Sequence, residues 1–179
     1  MKSCRHWNSK RFAETGRKAG LLVILGIDPG VASTGYGIVK ERRGGDLLLV
    51  DYGVITTPSK DPHEDRLKAI FEGIERIIRT SRPDRVAIET VFYSKNLKSL
   101  VQVSEAIGVL SLAVCRHSLE LRRFTPLEVK QAVVGNGRAK KNQVQLMVTN
   151  ILNLDDPPTP DHASDALAVA LCCAFLSGK

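Results

Sequence analysis

The sequence predicts one α/β domain, a mixed five-stranded sheet with helices on both faces. Two observations carry that prediction. An apolar run from Leu21 to Ile27 is followed by two further strand-like segments with no helix between them, and beyond residue 61 helical and strand periodicities alternate. A meander followed by alternation gives a sheet that is antiparallel on one side and parallel on the other. At 179 residues the chain has room for one compact core and not for two.

Residues 1–20 show no apolar period and read as a basic tail or a start codon placed too far upstream, with a DNA-binding arm as the alternative. The run Leu21 to Ile27 is too short for a helix and continuous enough for a strand covered on both faces, so it belongs at the centre of the sheet. Gly35 to Val39 and Leu47 to Thr56 supply two more strands, separated by a turn at Gly44-Gly45. Asp61-Pro62-His63-Glu64 opens the first helix, with Asp61 as N-cap and Pro62 at the first helical position. Leu67, Ile70, Phe71, Ile74, Ile77 and Ile78 form its core-facing stripe. Arg85 to Thr90 is a strand that returns by crossover to a parallel position. A helix follows from about Asn96 to His117, whose Ser104, Ala106, Gly108, Ser111 and Ala113 suit close packing against the sheet or against a second subunit. Leu119 to Phe124 makes the fifth strand, Pro126 to Val134 a short helix, and Lys140 to Leu152 an amphipathic one. The stiff segment Asp155-Asp156-Pro157-Pro158-Thr159-Pro160 leads to a last helix from His162 to about Leu176.

Hydrophobic residues at 43% and charged residues at 25% are the balance of an ordinary globular domain, which argues against a disordered or lipid-embedded chain. The formal charge of +7 invites a polyanionic partner. Most of the excess, however, lies in Lys2, Arg5, Lys10, Arg11, Arg17 and Lys18 against Glu14 alone, so local clusters must carry that case. Cys4, Cys115, Cys172 and Cys173 form no CxxC pair and no secreted-domain spacing, which fits a reducing cytoplasm. The first apolar run is too short to span a bilayer, so no membrane association is expected.

Three acids and a histidine stand where apolar elements end or are buried. Asp28 closes the first strand just before Pro29-Gly30, either as a turn former or as a carboxylate held rigidly at the sheet's end. Glu89 closes Val86-Ala87-Ile88, either facing solvent on an edge or buried and in need of a cation. His162 and Asp165 are three residues apart and project from one side of the last helix. That helix is apolar on nearly every side, so both need partners. Asp161, after Pro160, reads as an N-cap in preference to a ligand. Converging carboxylates with one imidazole suit divalent ions acting on a phosphodiester, in a pair roughly 3.5–4 Å apart. Oxygen donors favour Mg²⁺, and the histidine shifts the preference toward Mn²⁺.

Two segments look like nucleic-acid contacts. Phe92, Tyr93 and Lys95 lie in a loop directly after Glu89, where rings could stack on or wedge between bases; a capping hydrophobic pair is the alternative for Tyr93. Gly135-Asn136-Gly137-Arg138-Ala139-Lys140-Lys141 brings Arg138, Lys140 and Lys141 to a helix start, which suits a phosphate backbone, although solvated lysines often make such clusters. Lys130 precedes this loop by less than two helical turns.

Taken in order, Gly26-Ile27-Asp28-Pro29-Gly30 with Thr34-Gly35-Tyr36-Gly37, then Ala87-Ile88-Glu89, Val129-Lys130-Gln131 and Asp165-Ala166-Leu167-Ala168 resemble the RuvC Holliday-junction resolvases. The likeness runs from about residue 22 to the C-terminus and leaves out the N-terminal tail. It implies an RNase H-like fold over residues 21–179 and a homodimer that resolves four-way DNA junctions by nicking two strands of like polarity, leaving 5′-phosphates. It also implies Asp28, Glu89 and Asp165 as catalytic acids. His162 falls at a fourth position that holds Asp in many members and His in some, so the choice between Asp161 and His162 stays open. Phe92 corresponds to an aromatic at the junction centre, Lys130 and Lys141 to lysines near the scissile backbone, and RuvA and RuvB to branch-migration partners. Two other readings stand beside this one. A non-catalytic junction binder would keep the basic loops without needing buried acids. An actin-like nucleotide-binding domain also opens on an Asp-Gly strand turn, but the chain is too short for its two lobes.

Overall fold

The computed structural model describes residues 21–42, 44–90 and 97–176. Strands β1 (Leu21–Asp28), β2 (Ser33–Arg42) and β3 (Leu47–Thr56) form the expected antiparallel meander. Helix α1 (His63–Ser81) leads to β4 (Arg85–Glu89), α2 (Leu97–Arg116) to β5 (Glu120–Phe124), and both strands add in parallel. The sheet order is β3-β2-β1-β4-β5, with β1 central as its uninterrupted apolar run requires. Helices α3 (Pro126–Val134), α4 (Lys141–Ile151) and α5 (Asp161–Leu176) complete the chain. This is the mixed, helix-flanked sheet of the RNase H-like fold.

Alternation along β1 divides the core between the two faces. Leu25 and Ile27, with Val86 and Ile88 of β4, meet Ile70, Ile74 and Ile78 of α1 and Ala106, Leu110, Ala113 and Val114 of α2. On the opposite face, Ile24, Ala87 and Phe124 pack against α3, α4 and α5. Eleven of the sixteen residues of α5 are buried, as its all-round apolar sequence demands.

One local expectation is corrected. Asp61 does not cap α1; the N-cap position is Pro62, and Arg66 N–H donates to the Pro62 carbonyl, so the helix starts one residue later. The small residues of α2 divide between its two sides: Ala106 and Ala113 bury against the domain, while Ser104 and Gly108 face outward. Among the described residues α2 is the helix long and apolar enough to cross a membrane by length and composition. Its buried side is nevertheless docked on α1 and the sheet.

Candidate active site

Because β1 and β4 are parallel neighbours, their last residues, Asp28 and Glu89, leave the same end of the sheet. The remaining groups arrive on α5, and three glycines decide how close it comes. Gly26 and Gly37 face each other across β1 and β2, and Gly35 lies opposite Asp28. A Cβ on Gly26 would overlap the Ala166 carbonyl and the Ala170 nitrogen, and one on Gly35 would overlap the His162 carbonyl. A Cβ on Gly37 would come within 2.7 Å of the Leu167 side chain. The helix backbone therefore lies directly on the strands, with its first turn over Asp28.

This contact brings together one ligand-capable atom each from Asp28, His162 and Asp165, all within 4.8 Å of one another. His162 Nδ1 sits 2.6 Å from Asp28 Oδ2, a spacing at which the imidazole donates to the carboxylate. That hydrogen bond raises the His162 pKa against the opposing effect of burial, and the charges of Asp28 and Asp165 add to the rise. Lys141 Nζ lies 2.8 Å from Asp165 Oδ2 and 3.2 Å from Asp161 Oδ2. Burial raises the Asp165 pKa, opposed by the hydrogen bond and charge of Lys141.

Glu89 is outside the three-residue group yet shares its field. Burial, then the negative charges of Asp28 and Asp165, push its carboxyl up to about 7, with Lys130 and Lys141 pulling the other way. Packing carboxylates this closely in a half-buried pocket leaves negative charge that protein cations compensate only in part. The donor set, three carboxylates and an imidazole at one sheet end, fits a divalent cation.

The other residues singled out in the sequence divide into three groups. Phe92, Tyr93 and Lys95 lie outside the described residues. Lys130 on α3 reaches the site through its effect on Glu89. Arg138 and Lys140 are exposed on the loop between α3 and α4, whereas Lys141, the first residue of α4, turns inward onto Asp165. The glycine-bracketed loop is braced by two side chains: Gln131 Nε2 donates to the Gly135 carbonyl and Gln131 Oε1 accepts from Gly137 N–H, while Asn136 Oδ1 accepts from Arg138 N–H.

Asp161 was expected to cap α5, and the structure corrects this. It is the first residue of α5, and its carboxylate reaches across to α4, accepting from Gln145 Nε2 at 3.1 Å and pairing with Lys141. Sequence reading also missed a brace under the turn that follows Asp28. Arg66 Nε donates to Thr57 Oγ1, whose hydroxyl donates to the Val31 carbonyl, while Thr34 Oγ1 donates to the Gly30 carbonyl. Thr34 and Thr57 are both buried and hydrogen-bonded, a state that the sequence alone does not signal.

Comparison with known proteins gives a consistent result. The family model described as crossover junction endodeoxyribonuclease RuvC matches residues 24–173. The curated protein of that description from Alkaliphilus oremlandii is 49% identical over 153 residues, covering 86% of this chain and 93% of its own length. The one from Halothermothrix orenii is 47% identical over 151 residues, covering 84% and 91%. Among solved structures, Thermus thermophilus RuvC superposes with a TM-score of 0.81 at 33% identity, covering 88% of this chain and 96% of its own. The same protein in complex with a Holliday junction substrate gives 0.83 at 33% identity, covering 87% and 94%. The yeast mitochondrial Holliday junction resolvase shares the fold, with a TM-score of 0.65 at 12% identity, covering 87% and 78%.

Proposed function

Since the chain belongs to the RuvC family of crossover junction endodeoxyribonucleases, we infer that Asp28, Glu89, His162 and Asp165 are the catalytic and metal-binding residues with which it resolves four-way DNA junctions. The protein is a structure-specific, metal-dependent endodeoxyribonuclease of the RuvC type. The observation that carries the residue assignment is the gathering of Asp28, His162 and Asp165 donor atoms within 4.8 Å of one another.

Asp28, His162 and Asp165 would hold one Mg²⁺, and Glu89, sharing their field from the neighbouring strand, would complete a site for a second. Bound ions supply activation of the attacking water and neutralisation of charge on the leaving oxygen. The imidazole among the donors makes Mn²⁺ an effective substitute. His162 orients Asp28 through their hydrogen bond, and Lys141 offers an ammonium to the scissile phosphate. Lys130, Arg138 and Lys140 bind the sugar–phosphate backbone, Phe92 acts at the centre of the junction, and Tyr93 and Lys95 add DNA contacts from the same segment.

The protein acts as a homodimer, one site per subunit, with the outer face of α2 against its counterpart. Leu97, Val101, Ser104, Gly108 and Leu112 lie on that face at helical spacing, and all are exposed in the single chain. RuvA and RuvB are its branch-migration partners, and the thiols of Cys115 and Cys172, held in no disulfide, suit a cytoplasmic setting. The deciding assay incubates purified protein with a synthetic four-way junction and a matched linear duplex, with Mg²⁺ or Mn²⁺. Paired nicks on strands of like polarity in the junction alone are expected. Equal cleavage of the linear duplex would overturn junction specificity, and no nicking with either metal would overturn the catalytic reading.

A further inference from the structure

We propose that Asp161, which lies outside the three-residue metal-binding group, is a positioning residue that keeps the Lys141 ammonium at the rim of the site when a cation takes the carboxylate of Asp165. The inference rests on the nuclease reading above and adds a role for a residue that reading leaves unused.

The geometry is a bridge. Lys141 Nζ is shared between Asp165 Oδ2 at 2.8 Å and Asp161 Oδ2 at 3.2 Å. An ammonium has three donors and can hold both acids at once. Asp165, however, cannot give the same oxygen fully to a divalent cation and to Lys141. Metal entry therefore weakens one arm of the bridge, and Asp161 is the arm that remains. The Asp161 side chain is 66% exposed against 28% for Asp165, so a lysine released by Asp165 stays on the solvent side of the site, where a phosphate backbone would lie.

Asp161 is itself held in place. Its Oδ1 accepts from Gln145 Nε2 at 3.1 Å, and Gln145 stands four residues beyond Lys141 on α4, so one helix face presents both partners to one carboxylate. An exposed acid with no such brace would sample many rotamers and give Lys141 no fixed second partner. The bridge also makes lysine release less costly, because the ammonium leaving Asp165 keeps a charged partner.

Two opposite effects on metal binding follow. Asp161→Asn leaves Lys141 with Asp165 alone and should weaken Mn²⁺ binding by about two- to fivefold, the range of an exposed ion pair. Lys141→Met removes the competitor and should tighten it. Loss of any nearby negative charge also weakens cation binding, and the double variant separates the two causes. If Asp161 acts through Lys141, Asp161→Asn weakens binding by a smaller factor in the Lys141→Met background than in the parent, whereas a charge effect alone gives the same factor in both.

The experiment follows Mn²⁺ binding to the full chain without DNA, by electron paramagnetic resonance, for the parent, both single variants and the double variant. Gln145→Ala, which leaves every charge in place, should shift affinity in the same direction as Asp161→Asn by a smaller factor. It serves as the second test should Asp161→Asn fail to fold, as judged by thermal unfolding. Unchanged affinity in Asp161→Asn, or the same shift in both backgrounds, would overturn the proposal. A parent protein that binds no Mn²⁺ overturns the metal-site reading itself, a separate outcome.

Discussion

A single methyl group at position 35 tests how the site is assembled. Gly35 lies opposite Asp28 on the neighbouring strand, and a Cβ there would occupy the space of the His162 carbonyl. Gly35→Ala must push the first turn of α5 away from β2. Overpacking of this kind costs about 1–3 kcal/mol, which a domain of this size tolerates at moderate temperature. Nicking should suffer more than folding, because His162 and Asp165 move with that turn while Asp28 stays. The expected outcome is a lowered melting temperature with junction cleavage reduced at least tenfold; cleavage at the parental rate would show that α5 need not touch the sheet so closely. Asp28→Asn and Glu89→Gln separate chemistry from recognition at the same scale. Both should abolish nicking and leave junction affinity within a few-fold of the parent, since affinity rests on backbone contacts. A gel-shift titration beside the cleavage assay checks this, and joint loss of both activities would count against the assignment.

Among the elements, α1 and α2 are joined by a clasp away from the site. Glu75 of α1 is 5% exposed, accepts a hydrogen bond from Arg79, and meets Arg116 at 3.5 Å and His117 at 3.1 Å. Burial raises its pKa, but the Arg79 hydrogen bond and the charges of His117, Arg79 and Arg116 outweigh that and leave it below the ordinary carboxylate value. A depressed folded-state pKa contributes stability that is present above the unfolded value and lost as pH falls through the folded one. Glu75→Gln should therefore be less stable than the parent at pH 7, with the gap closing as pH drops below about 4.3. Chemical unfolding at both pH values measures it, and a gap that does not narrow would show that the charge is not what holds the clasp. At the α3–α4 loop, Arg138→Ala should flatten the salt dependence of junction binding by about one phosphate contact. An unchanged slope of affinity against salt would remove Arg138 from the interface. These elements also show what the sequence could and could not disclose. The burial of α5 was legible because its residues are apolar on nearly every side, and the central place of β1 because its run is unbroken. Asp161 was misread because capping preference is a local rule, while its partners, Lys141 and Gln145, stand on another helix. Glu75 gave no signal for the same reason: it sits beside the apolar stripe of α1, and two of its three partners come from the end of α2 and the turn beyond.

At the scale of the whole molecule, the outer face of α2 makes a demand that the described residues of the single chain do not meet. Leu97, Val101 and Leu112 are 74%, 58% and 57% exposed, and a Cβ on Gly108 between them would meet nothing within 4 Å. A stripe of large apolar side chains beside a bare glycine lets two helix backbones approach closely, and water covering such a face costs roughly 25 cal/mol for each Å² left exposed. The inner side of the same helix is already committed to the core through Ala106, Leu110, Ala113 and Val114, so a charge on the outer stripe should separate subunits without unfolding them. Leu112→Glu is the sharpest form of the test. In a dimer related by two-fold symmetry, each substitution is repeated on the partner, so two like charges are introduced into one apolar interface. The variant should sediment as a monomer at concentrations where the parent is a dimer, with a melting transition that no longer depends on protein concentration. Function should then divide: a monomer retains a complete set of Asp28, Glu89, His162 and Asp165, yet it has one site where the junction offers two symmetric targets. Nicking of one strand should persist at high enzyme concentration while paired nicking within the lifetime of a single complex is lost. A plasmid carrying an extruded cruciform reports the difference directly, since one nick gives a relaxed circle and two opposed nicks give a linear product. Linear product formed at the parental rate by a monomeric Leu112→Glu protein would show that the second site is not delivered by this face of α2.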